Sequence, residues 1–306
     1  MASFNPATDI PDLSGKVIFI TGGNAGLGKE SALKLAKHNP SKIIIASRDK
    51  PKGFAAIQTI AKIVPNVKYE LIQMDLASLS SVLAASKLFL SSNTRLDILM
   101  NNAGIMAVPP GLTVDGFEIQ FGTNHVGHAL LTKLLLPLML ATAEKPGSDV
   151  RIISLTSDSH KRAPLEGIQF DNLRKADQPG TAITRYAQSK LANILYSKEL
   201  AKRYPSIKVV AVHPGVVKTD LQVTMRKSFL LARLLAPAFT YFVGVDVEEG
   251  AHNQLWAATA KGVVSGELYY PVGQKVAGTE VARNMNLAAD LWEWTEKILA
   301  GSECKL

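Results

Sequence analysis

Short apolar, β-branched runs alternate with longer helical patterns along this chain, and this alternation restricts the folds open to it. Seven runs are typical of strands: Lys16–Thr21, Lys42–Ser47, Lys68–Met74, Leu96–Asn102, Val150–Thr156, Lys208–His213 and Glu267–Tyr270. Most of them are apolar on both faces, as strands buried inside a parallel sheet are. The alternation predicts an α/β fold with a doubly wound, seven-stranded, mostly parallel sheet and helices on both faces.

The organisation of the chain favours one domain over residues 1–306. We find no internal repeat, low-complexity tract or Pro/Gly/Ser-rich linker. Two segments lack the strand–helix alternation, Asp158–Thr184 and Leu221–Val247. Each follows the carboxyl end of a strand, where open α/β sheets bind ligands, and long loops there are usually functional. These segments are therefore predicted to be substrate loops.

Charge and cysteine content exclude several classes of partner. The formal charge of +8 comes from scattered Lys and Arg without a basic block, which argues against nucleic acid and favours a phosphate-bearing cofactor. Cys304 is the single cysteine, and His125 and His128 have no carboxylate at ligand spacing, so no disulfide or metal site is expected. The start lacks a signal peptide, and the stretch Phe229–Val245 is too short for a stable membrane span, which indicates an intracellular protein.

A glycine-rich segment follows the first predicted strand. The sequence TGGNAGLG places Gly22, Gly26 and Gly28 in a G-x-x-x-G-x-G pattern before a helix. Glycines there allow a sharp turn and close approach of a pyrophosphate to the helix N-terminus. The alternative is an ordinary glycine-rich turn, but the strand–loop–helix context favours a dinucleotide site.

The ends of the next two strands bear on the choice of cofactor. An acidic residue after the second strand contacts the ribose hydroxyls of NAD, whereas an arginine there receives the 2′-phosphate of NADP. This chain has Ala46, Ser47 and Arg48 at that point. NADP(H) is therefore the predicted cofactor, with NAD(H) possible; the alternative for Arg48 is a surface residue. Asp75, after the third strand, could contact the adenine.

Four motifs in this order resemble those of the short-chain dehydrogenase/reductases. They are the glycine pattern, NNAG at Asn101–Gly104, a serine after the fifth strand, and YAQSK at Tyr186–Lys190. The resemblance extends from Lys16 to Gly215, and RNMNLAADLWEWTEKI near the end is similar to the retinol-dehydrogenase-like branch and its fungal relatives. It implies a single-domain Rossmann-type fold and a hydride-transferring oxidoreductase.

The resemblance also implies site residues. The catalytic tetrad would be Asn124, Ser157, Tyr186 and Lys190; Ser154 and Thr156 carry nearby hydroxyls, but the family serine is the last of that run. The implied cofactor contacts are Gly22, Asn24, Gly26, Leu27, Gly28, Arg48, Asp75, Leu76, Asn102, Ala103, Gly104, Tyr186, Lys190, Pro214, Gly215, Val217 and Thr219. Ala25 departs from the pattern, because many NADP-dependent members have a basic residue there. Arg48 would then supply most of the discrimination.

The spacing of Tyr186 and Lys190 has a chemical consequence. Residues i and i+4 share a helix face, so the ammonium is expected to lower the pKa of the phenol. Tyr186 would protonate the substrate oxygen, Ser157 would hold that oxygen, and Asn124 would hold a water that connects Lys190 to solvent.

These inferences predict an NADP(H)-dependent enzyme that interconverts a carbonyl and an alcohol on a lipophilic small molecule. The apolar segment Leu221–Val247 motivates the substrate class, and the sequence leaves the direction of reaction open. The alternative is a catalytically silent NADP(H)-binding sensor or scaffold protein. A homodimer or homotetramer is expected through the helices HALLTKLLLPLML and YAQSKLANILYSKELA.

The last three residues, Cys304-Lys305-Leu306, resemble the peroxisomal signal S-K-L. The predicted location is therefore cytoplasmic, or peroxisomal if this tripeptide is read by a receptor.

Overall fold

The computed structural model describes residues 4–218 and 244–300. Its strands are β1 (Val17–Thr21), β2 (Lys42–Ser47), β3 (Lys68–Gln73), β4 (Ile98–Asn101), β5 (Arg151–Leu155), β6 (Lys208–Val212), β7 (Leu268–Tyr270) and β8 (Gln274–Val276). They form one sheet in the spatial order β3-β2-β1-β4-β5-β6-β7-β8. All neighbouring strands are parallel except β7 and β8. The predicted doubly wound, mostly parallel sheet is confirmed.

The sheet has eight strands, so the predicted number of seven is wrong by one. The additional strand, β8, pairs with β7 through only three residues. Gln274 and Lys275 are exposed and Val276 is half-buried. A run this short, with no buried side chain, has none of the apolar character by which the other strands were predicted.

Helices cover both faces of the sheet. They are α1 (Pro6–Asp9), α2 (Gly26–Ala36), α3 (Lys50–Ile63), α4 (Leu79–Ser92), α5 (Ile119–Phe121), α6 (Gly127–Ala143), α7 (Ala182–Arg203), α8 (Val247–Gly250), α9 (His252–Thr259), α10 (Glu280–Arg283) and α11 (Met285–Leu299). One apolar cluster joins Phe19 and Ile44 of the sheet to α4, α6, α7 and α11. A second joins Ile18 and Ile43 to α2, α3 and α9. Successive residues of β1 and β2 thus face opposite layers, which explains why these strands are apolar on both faces.

The strand order reverses beside β1. The chain runs outward from β1 to β3 and then returns to β4 on the other side of β1. The connections at the carboxyl ends of β1 and β4 therefore diverge and leave a crevice, which is the usual ligand site of such sheets.

The C-terminal helix α11 packs along α7 and contacts α6 through an ion pair. Trp292 stacks on Tyr196 of α7 with ring centroids 5.2 Å apart, and Glu296 pairs with Lys133 of α6 at 2.6 Å. Helix α7 is buried along most of its length within one chain. Part of the surface predicted to pair two copies, that of α7, is therefore covered by α11 of the same chain.

One helical run among the described residues, Ile119–Ala143, is long and apolar enough to cross a membrane by composition. Its most apolar window is 67% buried inside the fold, which is typical of a core helix.

Candidate active site

The glycine-rich segment forms the turn between β1 and α2. Gly22 and Gly26 have φ angles of +66° and +50°, a left-handed conformation that glycine adopts without strain. Gly28 is required for a different reason, because a Cβ there would lie 2.5 Å from Asn102 Nδ2 and 2.6 Å from Gly22 O. No side chain caps the N-terminus of α2 at Ala25. Its first N–H groups are thus available to an anion.

A cleft of about 340 Å³, open to solvent, follows the carboxyl ends of the central strands. The predicted cofactor contacts that line it are Gly22, Asn24, Gly26, Leu27, Arg48, Asp75, Leu76, Asn102, Ala103, Gly104, Tyr186, Lys190 and Pro214. Gly28 is buried beside this wall. Gly215 and Val217 line an adjoining cleft of about 350 Å³ that shares Tyr186 and Pro214 with the first. Thr219 lies outside the described residues, as does most of the predicted substrate loop Leu221–Val247.

The end of β2 gives the cleft a basic border. Arg48 is exposed in the cleft wall, directly after Ser47. The nearest acidic residue in sequence, Asp49, accepts a hydrogen bond from Lys52 N at 2.9 Å and caps α3. Asp75, after β3, accepts one from Ala77 N at 3.0 Å. Of these side chains, Arg48 is the one placed to meet a phosphate.

Asn124 is held from three directions. It lies in a π-helix, Gly122–Val126, between α5 and α6. Its side-chain amide donates to Ile105 O and to Ser189 Oγ, both at 2.9 Å, and its Oδ1 accepts from Ile105 N at 2.8 Å. Such π-helical turns occur frequently at functional sites. The side chain therefore supports the segment that follows Gly104, and its predicted role of holding a water stays a prediction.

Three hydroxyls follow one another at the end of β5, and the structure separates them. Thr156 Oγ1 donates to Lys190 O at 2.7 Å and is committed to the backbone of α7. Ser154 is buried and contributes to a small closed cavity beside His125 and His128. Ser157 lines the adjoining cleft together with Tyr186, and its hydroxyl acts to lower the pKa of that phenol. Ser157 therefore lies where the predicted family serine is required, and its role stays a prediction.

Tyr186 is buried at the junction of the two clefts, with 4% of its surface exposed. Burial raises its pKa to about 12, while the Ser157 hydroxyl acts in the opposite direction. The prediction that Lys190 lowers this pKa is wrong for the protein alone, because desolvation outweighs every other effect. The phenol is consequently protonated at neutral pH.

Lys190 lies one helical turn after Tyr186. Its Nζ is 5.6 Å from the centroid of the tyrosine ring and donates to Leu155 O at 3.1 Å. Burial lowers its pKa to about 8, because the ammonium loses its hydration. This lysine can therefore exchange a proton close to neutral pH.

Sequence reasoning missed the residues that support the site from behind. Thr21 accepts the N–H groups of Asn102 and Ala103, each at 2.9 Å. Ser189 and His128 contact Asn124. Thr21 stands next to the glycine pattern, Ser189 lies inside YAQSK, and His128 follows Asn124 by one helical turn, so each has a local signal in the sequence. None of these signals shows that the three residues meet behind the segment that follows β4.

The residues present fit a nicotinamide dinucleotide. Glycines leave room for a pyrophosphate at a helix N-terminus, and Arg48 borders one end of the cleft. At the other end, Ser157, Tyr186 and Lys190 converge. A Cβ at Gly22 would lie 3.0 Å from Ala103 Cβ, and one at Gly28 would lie 2.5 Å from Asn102 Nδ2, so a side chain at either position would disturb the wall of this cleft.

Comparisons with known proteins agree with this geometry. Residues 16–164 match the family model for short chain dehydrogenases. The short-chain dehydrogenase/reductase drtF of Aspergillus calidoustus is 40% identical over 311 residues, covering 96% of this chain and 96% of that protein. Retinol dehydrogenase 12 of Mus musculus is 36% identical, covering 94% of this chain and 87% of that protein.

Solved structures show the same fold. An uncharacterised protein from Mycobacterium paratuberculosis has a TM-score of 0.76 at 32% identity, covering 97% of both chains. L-Sorbose reductase from Gluconobacter frateurii, determined with NADPH and L-sorbose, has a TM-score of 0.66 at 20% identity, covering 89% of this chain and 100% of that one.

Fold and site together define a nicotinamide-dependent oxidoreductase that acts on a small molecule. The chain belongs to the short-chain dehydrogenase/reductase family, and it is similar to the retinol dehydrogenases within it.

Proposed function

We propose that this protein is an NADP(H)-dependent carbonyl reductase or alcohol dehydrogenase for a lipophilic small molecule. The observation that supports this most is the convergence of Ser157, Tyr186 and Lys190 where the dinucleotide cleft meets the adjoining cleft. Bound cofactor would supply or accept the hydride. The protein must then supply the proton and orient the substrate.

Tyr186 is the proton donor in the reductive direction. Its pKa of about 12 keeps the proton on the phenol at neutral pH, so the acid form is present when a carbonyl arrives. Ser157 lines the adjoining cleft beside this tyrosine, and its hydroxyl would orient the carbonyl oxygen. Lys190, with a pKa of about 8, stabilises the phenolate left after transfer and can return a proton to it.

The preference for NADP(H) rests on Arg48. Its exposed guanidinium borders the cleft, and Asp49 is engaged as a helix cap. Charge-assisted hydrogen bonds to a phosphate are stronger than neutral ones. The 2′-phosphate would therefore find a cation where an NAD site has a carboxylate.

A lipophilic substrate is supported by the sequence of the segment Leu221–Val247 and by the similarity to retinol dehydrogenase 12. The described wall of the adjoining cleft contributes Leu27, Met106, Val216 and Val217. Asp158 and Arg162 line the same wall and would face polar parts of the substrate.

Assembly and location remain predictions. A homodimer or homotetramer through α6 and α7 is proposed from the sequence, and α11 packs on part of the α7 surface. The tripeptide Cys304-Lys305-Leu306 lies outside the described residues, and peroxisomal import is proposed from its sequence alone.

The test is turnover of hydrophobic aldehydes, ketones and secondary alcohols, followed through the absorbance of the nicotinamide with each cofactor. Tyr186→Phe should bind NADPH as the wild type does and lose about 10²–10⁴-fold in kcat, the usual contribution of a positioned acid. Tight NADPH binding with no turnover across the panel would instead support the silent sensor or scaffold. Wild-type rates in Tyr186→Phe would refute the proposed acid.

A further inference from the structure

A buried histidine touches both supports of the cofactor-lining segment Asn102–Ile105. Thr21 holds the start of this segment through two backbone N–H groups, and Asn124 holds its end through Ile105 N and O. His128 is 4% exposed and lies in the first turn of α6. Its Nδ1 is 3.0 Å from Asn124 O and its Nε2 is 2.9 Å from Thr21 Oγ1.

The partners of His128 determine its tautomer. A backbone carbonyl can only accept a hydrogen bond, so Nδ1 carries the proton and donates it to Asn124 O. Burial lowers the pKa of the imidazole to about 4, which leaves the ring neutral at pH 7. Nε2 is then an acceptor, and the hydroxyl of Thr21 must donate to it.

This arrangement fills every hydrogen-bonding position of Thr21. A threonine hydroxyl has one proton and two lone pairs. The proton is directed at Nε2 of His128, and the lone pairs receive the N–H groups of Asn102 and Ala103. The other acceptor near this hydroxyl, Met100 O, is 3.4 Å away, at the limit of a hydrogen bond. Without His128, the hydroxyl proton of Thr21 would turn toward Met100 O, and the lone pairs would no longer face the N–H groups of Asn102 and Ala103.

We propose that His128 is a positioning residue that fixes the cofactor-lining segment Asn102–Ile105 by bridging its two supports, Thr21 and Asn124. The proposal rests on the proposed function only in assigning this cleft to the cofactor. It goes further by naming a residue outside the tetrad that sets cofactor affinity without touching the cofactor.

The test compares NADPH dissociation constants and melting temperatures of matched variants. His128→Leu should raise the Kd for NADPH by about five- to tenfold, because it frees both supports of the segment. His128→Asn keeps a donor near the Nδ1 position and should show a smaller increase. His125→Leu is the control: His125 is buried like His128 and lies three residues before it, in the π-helix that contains Asn124, but it bonds Thr295 of α11. It should lower the melting temperature and leave the Kd within about twofold of wild type.

Thr21→Val separates positioning from general destabilisation. If His128 acts through this hydroxyl, Thr21→Val alone should raise the Kd, and adding His128→Leu should change it little further. Fully additive effects, or equal Kd increases in the His125 and His128 variants, would overturn the proposal. Nitrogen NMR of the His128 imidazole in the wild-type protein gives an independent check, which does not require the leucine variant to fold. A ring protonated at Nε2 would also overturn the proposal. Failure of wild-type protein to bind NADPH would refute the proposed function instead.

Discussion

Without bound cofactor, the variant Lys190→Met should be more stable than the wild type at neutral pH. The same substitution should remove activity. The ordinary pKa of lysine is 10.5, and burial lowers that of Lys190 to about 8. At 1.36 kcal/mol per pH unit, holding this buried ammonium costs about 3 kcal/mol at pH 7. Methionine has a similar length and no charge, so it removes this cost.

One favourable contact is lost in the exchange. Lys190 Nζ donates to Leu155 O, and a hydrogen bond of this kind contributes about 1 kcal/mol. Leu155 O does not become unpaired, because Asn193 Nδ2 also donates to it at 3.0 Å. The expected net gain in the free energy of unfolding is therefore about 2 kcal/mol at pH 7.

The gain should depend on pH in a defined direction. Between pH 8 and 10.5 the unfolded chain binds a proton at Lys190 that the folded chain has released, so wild-type stability rises with pH in this window. Below pH 8 the folded state carries the full free-energy cost of the buried Lys190 ammonium. At pH 10 the cost falls below about 1 kcal/mol, and the advantage of methionine should disappear.

Urea titrations of wild type and Lys190→Met at pH 7 and pH 10 measure both effects. Lys198→Met, on the same helix but only half-buried, is the matched control and should stay within about 0.5 kcal/mol of wild type at both values. A less stable Lys190→Met at pH 7, or an equal gain at both pH values, would refute the assignment of a costly buried ammonium. Turnover should fall in the same variant, since the group that stabilises the phenolate is gone.

Three further outcomes are expected. Gly28→Ala should cost about 1–3 kcal/mol of stability and weaken NADPH binding, because its Cβ would lie 2.5 Å from Asn102 Nδ2. Gly111→Ala is the control, since no atom lies within 4 Å of the Cβ added there, and equal melting temperatures for the two variants would contradict the prediction. Arg48→Ala should raise KM for NADPH about tenfold or more and leave KM for NADH nearly unchanged, so equal losses would argue against a phosphate contact. A fluorescent protein fused ahead of GSECKL should give puncta that vanish on deletion of Leu306 if the tail is a peroxisomal signal, whereas diffuse fluorescence with the intact tail would exclude import.

The sequence by itself determined the mostly parallel sheet and the motifs from which the candidate site residues were predicted. Strands such as β1 and β2 are apolar on both faces because each face packs on a separate helix layer, and this leaves a clear pattern in the residues. The glycine spacing and the pair Tyr186 and Lys190 are local in sequence, so their motifs could be recognised without coordinates. Strand β8 could not be predicted in this way, because it is short and has no buried side chain.

Only the tertiary structure decided how these groups behave. A pKa depends on burial and on neighbours distant in sequence, so the spacing of Tyr186 and Lys190 suggested a lowered phenol pKa, whereas desolvation raises it to about 12. The link from His128 to Thr21 spans 107 positions and leaves no periodic pattern. The covering of α7 by α11 likewise depends on long-range packing, because an amphipathic helix shows that it has an apolar face but does not show which surface that face will contact.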